Sequence, residues 1–209
     1  MSKKVIILDY GMGNLFNIQR VLNYIGVESE ITIDANKILT AERLIIPGVG
    51  AFDQAMNNLK GQNLIEPIQE YSKIGRPILG ICLGMQLLFS ESSEFGLHSG
   101  LDLIKGSVLK FEYDKDNTIK IPQIGWNTIS KRNDKKHQLL SGIDDGTYYY
   151  FIHSYFCKPD NDEDIMATTI YGDTTFCSAT HKNNIWGCQF HPERSGEAGV
   201  KILKNFINL

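Results

Sequence analysis

The sequence is poor in cysteine, and its cysteines show no spacing typical of metal ligands or disulfides. The four residues, Cys82, Cys157, Cys177 and Cys188, include no Cys-x-x-Cys pair, and nothing around them indicates secretion. We therefore expect a reducing, cytoplasmic environment, with Cys157, Cys177 and Cys188 as packing residues, no metal site and no cofactor.

Long apolar runs and an excess of one charge are also missing. No apolar stretch approaches the roughly 20 residues that a membrane span requires. The net charge is −3 with a pI near 6.0, and acids and bases are interspersed, which argues against nucleic acid or an anionic membrane as a partner. The 209 residues can bury a sizeable core, so we expect a single domain over residues 1–209.

Short apolar runs and helical patterns alternate in the first half of the chain. They predict strands at 5–9, 28–33, 43–46 and 76–81, and helices at 15–25, 51–59, 64–74 and 83–89. Strands that are apolar throughout and alternate with helices are typical of a parallel sheet covered on both faces.

The second half is richer in strands, which we predict at 106–111, 125–130, 147–155, 165–171, 175–181 and 185–189, before a final helix at 198–208. Polar turns are expected at 114–117 and 160–164. The second turn is acidic but lacks the glycine and terminal glutamate of an EF-hand loop, which favours a solvated loop. Together the halves predict an α/β fold with a mixed, mostly parallel sheet.

The most informative feature is the segment Gly80-Ile81-Cys82-Leu83-Gly84, between a predicted strand and a predicted helix. Gly-x-Cys-x-Gly in this setting has the form of a nucleophile elbow. The flanking glycines let the chain turn sharply and hold the central residue in a strained backbone conformation. A helix N-terminus also favours a thiolate. The structural alternative is a buried, unreactive cysteine, the usual role of a lone cysteine.

A base and a carboxylate follow a later predicted strand, in His191-Pro192-Glu193. His191 would take the thiol proton, and Glu193 would fix the imidazole tautomer and stabilise the imidazolium. The two side chains share a side only in extended backbone, which Pro192 favours for His191. The joint pattern favours a catalytic triad of Cys82, His191 and Glu193 over a structural histidine, if the fold brings the distant segments together.

The segments GICLGMQ at 80–86 and FHPE at 190–193 resemble the two signatures of class I glutamine amidotransferases. One branch of that family is similar over essentially the whole chain, the glutaminase subunits of imidazole glycerol phosphate synthase. Its further marks are DYGMGN at 9–14, PGVG at 47–50, GWN at 125–127 and YYYFIHSY at 148–155. The resemblance implies the class I amidotransferase (flavodoxin-like) fold, helices on both faces of the sheet, and hydrolysis of L-glutamine through a cysteine thioester.

The oxyanion of that reaction needs hydrogen-bond donors. We expect backbone N–H groups, because no spare Asn or Gln is evident beside Cys82. The candidates are the N–H of Leu83 and those of the loop Gly48, Val49 and Gly50, whose glycines permit close approach and a peptide flip. A plain turn at the end of a strand is the alternative for this loop.

The resemblance also implies that Gln86, Glu94, Ser154 and Tyr155 contact the substrate. Gln86 lies one helical turn beyond Cys82 and should face the same side. The alternatives are a helix-surface glutamine at Gln86 and an ordinary loop glutamate at Glu94.

A partner is implied as well, because we expect a single domain, which leaves no second domain to use the ammonia. In the resembled branch, a (β/α)₈ cyclase subunit forms a heterodimer with the glutaminase and makes imidazole glycerol phosphate and AICAR in histidine biosynthesis. The residues expected toward this partner are Gly13, Asn14, Gln123, Trp126, Tyr150 and Arg194. Trp126 could instead be a core aromatic, and 11–14 could be half of a dinucleotide loop that lacks its third glycine.

Three residues depart from the branch. Members of the branch more often have His at the position of Gln123 and Lys at the position of Arg194, and they commonly have Thr at the position of Ser154. The partner-facing departures leave an alternative, a paralogous glutaminase that supplies ammonia for amidation of a surface-polysaccharide sugar. A flavodoxin-like binding module with an inert Cys82, and a thiol hydrolase that acts alone, are the remaining alternatives.

Overall fold

The computed structural model of the protein describes residues 4–113, 115, 119–132 and 137–209. The first half alternates strands and helices in the order β1 (Val5–Leu8), α1 (Leu15–Tyr24), β2 (Ser29–Thr32), α2 (Ala35–Thr40), β3 (Arg43–Ile46), α3 (Phe52–Gly61), α4 (Ile65–Ile74), β4 (Ile78–Ile81) and α5 (Leu83–Leu87). The second half contributes β5 (Phe89–Ser92), β6 (His98–Ser99), β7 (Ile104–Lys110), β8 (Gln123–Thr128), β9 (Ser130–Lys131), β10 (Tyr148–His153), β11 (Tyr155–Pro159), β12 (Ile165–Tyr171), β13 (Thr174–Lys182), β14 (Ile185–Cys188) and α6 (Gly196–Ile207).

The main sheet is mixed and runs β2-β1-β3-β4-β14-β13-β11-β7-β5-β6, with β12 beside β13 and β9 beside β12. Neighbours from β2 to β14 are parallel, and β14 then pairs antiparallel with β13. Strand β14 therefore ends at the same edge as β4, where Cys188 lies opposite Ile81. This register brings the residue after β4, Cys82, beside the segment that leads to His191.

Helices cover both faces of the sheet. On β1, Val5 and Ile7 pack into the core layer that also holds residues of α1 and α6, whereas Ile6 and Leu8 pack with residues of α2, α3 and α4. Full burial of one aliphatic side chain of this kind contributes about 1.5–3 kcal/mol. Because both faces are buried, the strands β1 and β4 contain no polar side chain, the pattern from which they were predicted.

The structure differs from the sequence-based prediction in several places, since the short strands β5, β6 and β9 were not predicted and β7 and β8 begin two residues earlier than expected. The strand predicted at 147–155 is two strands separated at Ser154, because β10 pairs with β8 in a separate ribbon while β11 joins the main sheet. The helix predicted at 83–89 ends at Leu87, since Phe89 begins β5. Helix α2 was not predicted; it is short and is capped by Asp34, whose side chain accepts hydrogen bonds from two backbone N–H groups.

Residues 114, 116 and 117 of the predicted polar turn lie outside the described residues. Within the described ranges, no helix is both long enough and apolar enough to span a membrane.

Candidate active site

Cys82 joins β4 to α5 in a strained backbone conformation, with φ 54° and ψ −112°. A positive φ is uncommon for a residue with a side chain and concentrates at functional sites. The flanking glycines are required by close packing: a Cβ on Gly84 would collide with the carbonyl of Ile46, and one on Gly80 would lie 2.7 Å from the carbonyl oxygen of Gly84. The elbow therefore fixes the thiol of Cys82, which is 4% exposed and borders a cavity.

His191 and Glu193 follow β14 as a buried pair, with side chains 3% and 1% exposed. The Nδ1 of His191 lies 2.7 Å from Oε1 of Glu193. Because a carboxylate only accepts, Nδ1 carries a proton, which leaves Nε2 for the reacting groups. His191 has the extended backbone predicted from Pro192, and its N–H donates to the carbonyl of Tyr150 at 2.9 Å.

The electrostatic setting of His191 favours its charged form. Burial lowers the pKa of His191, but Cys82 and Glu193 more than offset this effect and raise the pKa to about 10. Nε2 makes no hydrogen bond of good geometry within the described chain, so the effect of Cys82 comes from proximity. The site therefore favours a protonated imidazole next to Cys82, and a neighbouring positive charge favours the thiolate, the form in which cysteine is a nucleophile.

The loop after β3 packs directly on the elbow. A Cβ on Gly48 would lie 2.7 Å from the Cβ of Leu83, and Gly50 has a φ of +103° that favours glycine. The hydroxyl of Tyr10 donates to the carbonyl of Pro47 at 2.6 Å and holds the start of the loop. Among the described residues, the N–H groups of Leu83 and Val49 donate to no backbone carbonyl, so neither is committed to another acceptor.

A cavity of about 290 Å³ borders the thiol, close to the lower end of the size range of small-molecule sites. It is lined by predicted residues of the catalytic, oxyanion, substrate and partner groups, namely Asn14, Val49, Gly50, Cys82, Leu83, Gln86, Glu94, Ser154, Tyr155, His191 and Arg194. A larger cleft of about 570 Å³ beside α6 contains none of the predicted site residues. Among the described side chains, no group of three His, Cys, Asp or Glu residues could hold a metal ion.

Gln86 and Glu94 reach this cavity from different elements. Gln86 is 5% exposed, so the helix-surface alternative is wrong. Its Nε2 donates to the carbonyl of Tyr155 at 2.9 Å and to Oε1 of Gln189 at 3.1 Å. Both amide protons are thus used, and Oε1 remains as an acceptor. Oε2 of Glu94 accepts from the N–H of Phe52 at 2.6 Å, where α3 begins; burial nevertheless leaves the pKa of Glu94 raised.

Gln189 was missed in the sequence. Its side chain is fully buried, and its Nε2 lies 3.7 Å from Sγ of Cys82, so the expectation that no Gln stands beside Cys82 is wrong. The β4–β14 register places it there, since Gln189 directly follows the partner of Ile81. The available signal was a lone amide between apolar residues in the segment IWGCQF.

Of the residues predicted to face a partner, those on the β8–β10 ribbon divide between its two faces. On the outer face, Trp126 is 55% exposed, so it is not a core aromatic. The guanidinium of Arg194 lies 4.4 Å from the centre of the Tyr150 ring, whose edge contacts Trp126. Of the residues before α1, Asn14 is exposed and Gly13 is half-buried.

Gln123, which we expected to face the partner, is buried instead. Its side chain is 3% exposed, because strand alternation places it opposite His153 on the inner face of the ribbon. The neighbouring residue on the outer face is Ile124, which is 60% exposed. Gln123 can therefore influence a partner only through the residues that cover it.

His153 predicts an acid-dependent loss of stability. Nδ1 of His153 donates to the carbonyl of Tyr155 at 2.8 Å, and burial lowers the pKa of His153 from 6.5 to about 4. Between these values the unfolded state binds more protons, so stability is fully present above pH 6.5 and falls toward pH 4. We expect this residue to remove roughly 2–3 kcal/mol of unfolding free energy between pH 7 and pH 4.5.

The measurement is urea unfolding at both pH values for the wild type and for His153→Phe, which replaces the imidazole among the rings of Phe111 and Phe176. The variant should lose less stability on acidification. His181→Gln, at a half-buried histidine, is the control and should keep the wild-type slope. Equal pH dependence of the wild type and His153→Phe would contradict this assignment.

The family model of class I glutamine amidotransferases matches residues 6–209. The chain is 46% identical over 202 residues to "Imidazole glycerol phosphate synthase subunit HisH" of Chlorobaculum tepidum, covering 97% of this chain and 98% of that one. It is 44% identical over 205 residues to the protein of the same name from Geobacter metallireducens, covering 97% and 96%.

Solved structures agree at the level of fold. A crystal structure of a glutamine amidotransferase aligns with a TM-score of 0.74 at 14% identity, covering 98% of this chain and 97% of that one. The structure of PurLQS from Thermotoga maritima aligns with a TM-score of 0.71 at 17% identity, covering 100% and 99%. The predicted class I amidotransferase fold is therefore confirmed.

Proposed function

Because the chain belongs to the class I glutamine amidotransferase family, we propose that it is the glutaminase subunit of an imidazole glycerol phosphate synthase. The observation that carries the chemistry is the strained Cys82 in one cavity with His191, which is itself paired with Glu193. The synthase assignment is supported by 46% identity to a subunit of that name over nearly the full length of both chains. These relatives favour the histidine pathway over amidation of a surface sugar.

The reaction begins with attack of the Cys82 thiolate on the carboxamide carbon of glutamine. A bond forms between Sγ and that carbon, and the carbonyl oxygen becomes an oxyanion that accepts from the N–H groups of Leu83 and the loop of Gly48, Val49 and Gly50. The imidazolium of His191 then gives its Nε2 proton to the nitrogen, the C–N bond breaks, and ammonia leaves a thioester.

Hydrolysis returns the enzyme to its resting state. His191, now neutral, takes a proton from water, the hydroxide attacks the thioester carbon, and the bond from that carbon to Sγ breaks to release glutamate. Glu193 stays ionised throughout and holds the proton on Nδ1 of His191, so Nε2 is the only ring nitrogen that exchanges protons with the substrate.

The substrate is held by groups on three sides of the cavity. The carboxylate of Glu94, costly to bury alone, is placed to pair with the α-ammonium of glutamine. Gln86 offers its free Oε1 to an N–H donor of the substrate, since its own amide protons are occupied. Ser154 and Tyr155 line the cavity where β10 passes into β11 and supply further contacts.

Ammonia would leave toward a second subunit, for which we propose a (β/α)₈ cyclase that forms a heterodimer with this chain in the cytoplasm. The outer face of the β8–β10 ribbon supports this docking site, with Ile124, Trp126 and Tyr148 each 55–60% exposed. Exposed aromatic residues beside an arginine are typical of interface cores. Arg194 belongs both to this surface and to the wall of the cavity, so the surface adjoins the outlet.

Reconstitution tests the proposed function. The chain is mixed with the cyclase subunit from the same genome, and formation of imidazole glycerol phosphate from glutamine and the cyclase substrate is measured. We expect product with glutamine as the only nitrogen source. A protein that hydrolyses glutamine but never supplies this cyclase would contradict the synthase assignment, and one that does not hydrolyse glutamine would contradict the glutaminase assignment.

Partner binding is expected to raise glutaminase activity by about 10²–10³-fold, the typical effect of one oxyanion donor. The loop of Gly48, Val49 and Gly50 contains a residue at positive φ and an exposed Val49, so a small rotation of one peptide can add or remove its N–H from the oxyanion. Glutamate release is measured for the isolated chain and for the complex with and without the cyclase ligand. Equal rates in all three would rule out this gating.

Arg194→Ala is expected to weaken partner binding or coupling at least tenfold while leaving the thiol reactive. Removal of the guanidinium disrupts its contact with Tyr150 on the docking surface but leaves the triad intact. Affinity for the cyclase is measured beside alkylation of Cys82 by a glutamine-mimicking electrophile, with Lys204→Ala, an exposed charge on α6, as the control. Lost alkylation with unchanged partner affinity would instead place Arg194 in the glutamine site.

A further inference from the structure

We propose that Gln189 is a hydrogen-bond donor to the nucleophilic sulfur, so that its side-chain amide and the imidazolium of His191 together hold Cys82 as a thiolate. This inference rests on the proposed role of Cys82 and adds a residue outside the triad to its activation. The contact joins Nε2 of Gln189 to Sγ over 3.7 Å, a hydrogen-bond distance for sulfur, between two buried side chains.

The orientation of the Gln189 amide follows from its neighbours. The carbonyl of Tyr155 can only accept, so it fixes the NH₂ end of Gln86, which donates to it at 2.9 Å. That same NH₂ group donates to Gln189 at 3.1 Å, so Gln189 must present its oxygen to Gln86. Its NH₂ group is thereby turned toward the sulfur. The positions of the amide nitrogen and oxygen of Gln189 therefore follow from the carbonyl of Tyr155, which can only accept.

The neutral thiol and the thiolate of Cys82 are stabilised by different neighbouring groups. Sγ also lies 3.8 Å from the carbonyl oxygen of Ile152, which can accept from a neutral thiol but repels a thiolate. Nε2 of Gln189 donates to the same sulfur, and a hydrogen-bond donor stabilises the charged form, the thiolate. The amide therefore offsets the effect of the Ile152 carbonyl and shifts the balance toward the reactive species.

Gln189 is the uncharged member of a set of groups that act on the thiol. The titratable groups around Cys82 are His191 and Glu193 after β14, Cys188 on β14, Cys157 on β11, His153 at the end of β10 and Tyr10 after β1. Burial raises the pKa of Cys157, Cys188 and Tyr10 and lowers that of His153, so these four are neutral near pH 7. Among the described residues, charge next to the thiol comes from the His191–Glu193 pair, with Glu94 and Arg194 elsewhere on the wall of the same cavity. Gln189 contributes a dipole that does not titrate.

The first test compares the pH dependence of Cys82 alkylation by iodoacetamide in the isolated full chain. Gln189→Met keeps the volume but removes the donor, and we expect its rate profile to shift about one unit to higher pH, a tenfold loss of thiolate on the acid side. Gln69→Met removes a half-buried amide that bonds to the carbonyl of Leu101 far from the elbow and should keep the wild-type profile. Cys82→Ala supplies the background from other thiols.

A folded Gln189→Met protein with an unshifted profile would overturn the proposal. If that protein does not fold, the wild type provides the decisive measurement. In ¹⁵N NMR spectra, the side-chain NH₂ signals of Gln189 should titrate together with the Cys82 thiol and should not titrate in Cys82→Ala. Absence of that titration in the wild type would also overturn the proposal.

The same experiments separate this inference from the proposed function. If Cys82→Ala still hydrolyses glutamine, the proposed nucleophile is wrong and Gln189 loses its role with it. If Cys82→Ala is inactive while Gln189 variants leave the thiol unaffected, the glutaminase assignment stands and only the amide contact is without consequence.

Discussion

Replacing Cys82 with alanine is expected to abolish glutamine-dependent turnover, with a fall of about four or more orders of magnitude, the scale on which enzymes lose activity when the nucleophile is removed. The sulfur forms the bond that carries the glutamyl group, and no other thiol in the described chain lines the cavity. The measurement is glutamate release by the variant in complex with its partner. Circular dichroism should report an unchanged fold, because alanine fits where the thiol stood.

Two controls make this result specific. Cys177→Ala removes a buried thiol that bonds to the carbonyl of Ala179 inside the sheet, and it should retain turnover. The complex formed by Cys82→Ala should still make its product when ammonium salt replaces glutamine, because the defect lies in ammonia supply. Normal glutamine-dependent turnover in Cys82→Ala would disprove the mechanism.

His191→Asn is expected to be nearly as damaging as the loss of Cys82, and Glu193→Gln about two orders of magnitude milder, as in other triads. His191 transfers protons to and from the substrate, whereas Glu193 acts through the imidazole. Glutamine at position 193 can still accept from Nδ1 of His191, so the 2.7 Å contact can persist without its charge. The loss of charge should lower the pKa of His191 and weaken the thiolate–imidazolium pair.

Steady-state rates at saturating glutamine decide this comparison, measured on complexes of equal partner occupancy. The pH profile adds a second readout, because a lower pKa of His191 in Glu193→Gln should bring the alkaline loss of activity to lower pH. Equal rates for the two variants would show that the carboxylate is as important as the base that it orients.

The elbow could be predicted from the sequence because its requirements are local. A Cβ at Gly80 or at Gly84 would collide with neighbouring backbone, so both positions flanking the elbow require glycine. The resulting Gly-x-Cys-x-Gly spacing is visible in the sequence. The extended conformation of His191 was predictable for the same reason, since Pro192 restricts the residue before it. The alternation of apolar strands and helices likewise predicted the layers, because both faces of the parallel strands are buried.

Residues whose position depends on long-range pairing could not be predicted in this way. Gln123 is next to exposed residues in the sequence, and only its pairing with His153 shows that it faces inward. Gln189 reaches the thiol because β14 lies beside β4, a neighbour more than a hundred positions earlier in the chain. The break at Ser154 has the same origin, because β10 and β11 join different sheets.

The most direct test of the account is detection of the covalent intermediate. The complex is mixed with ¹³C-labelled glutamine, quenched in acid and digested, and the peptides are analysed by mass spectrometry. We expect a labelled glutamyl group on the peptide that contains Cys82, and none on that peptide in Cys82→Ala. Glutamine hydrolysis with no adduct at Cys82, or with the label on another residue, would contradict the central claim.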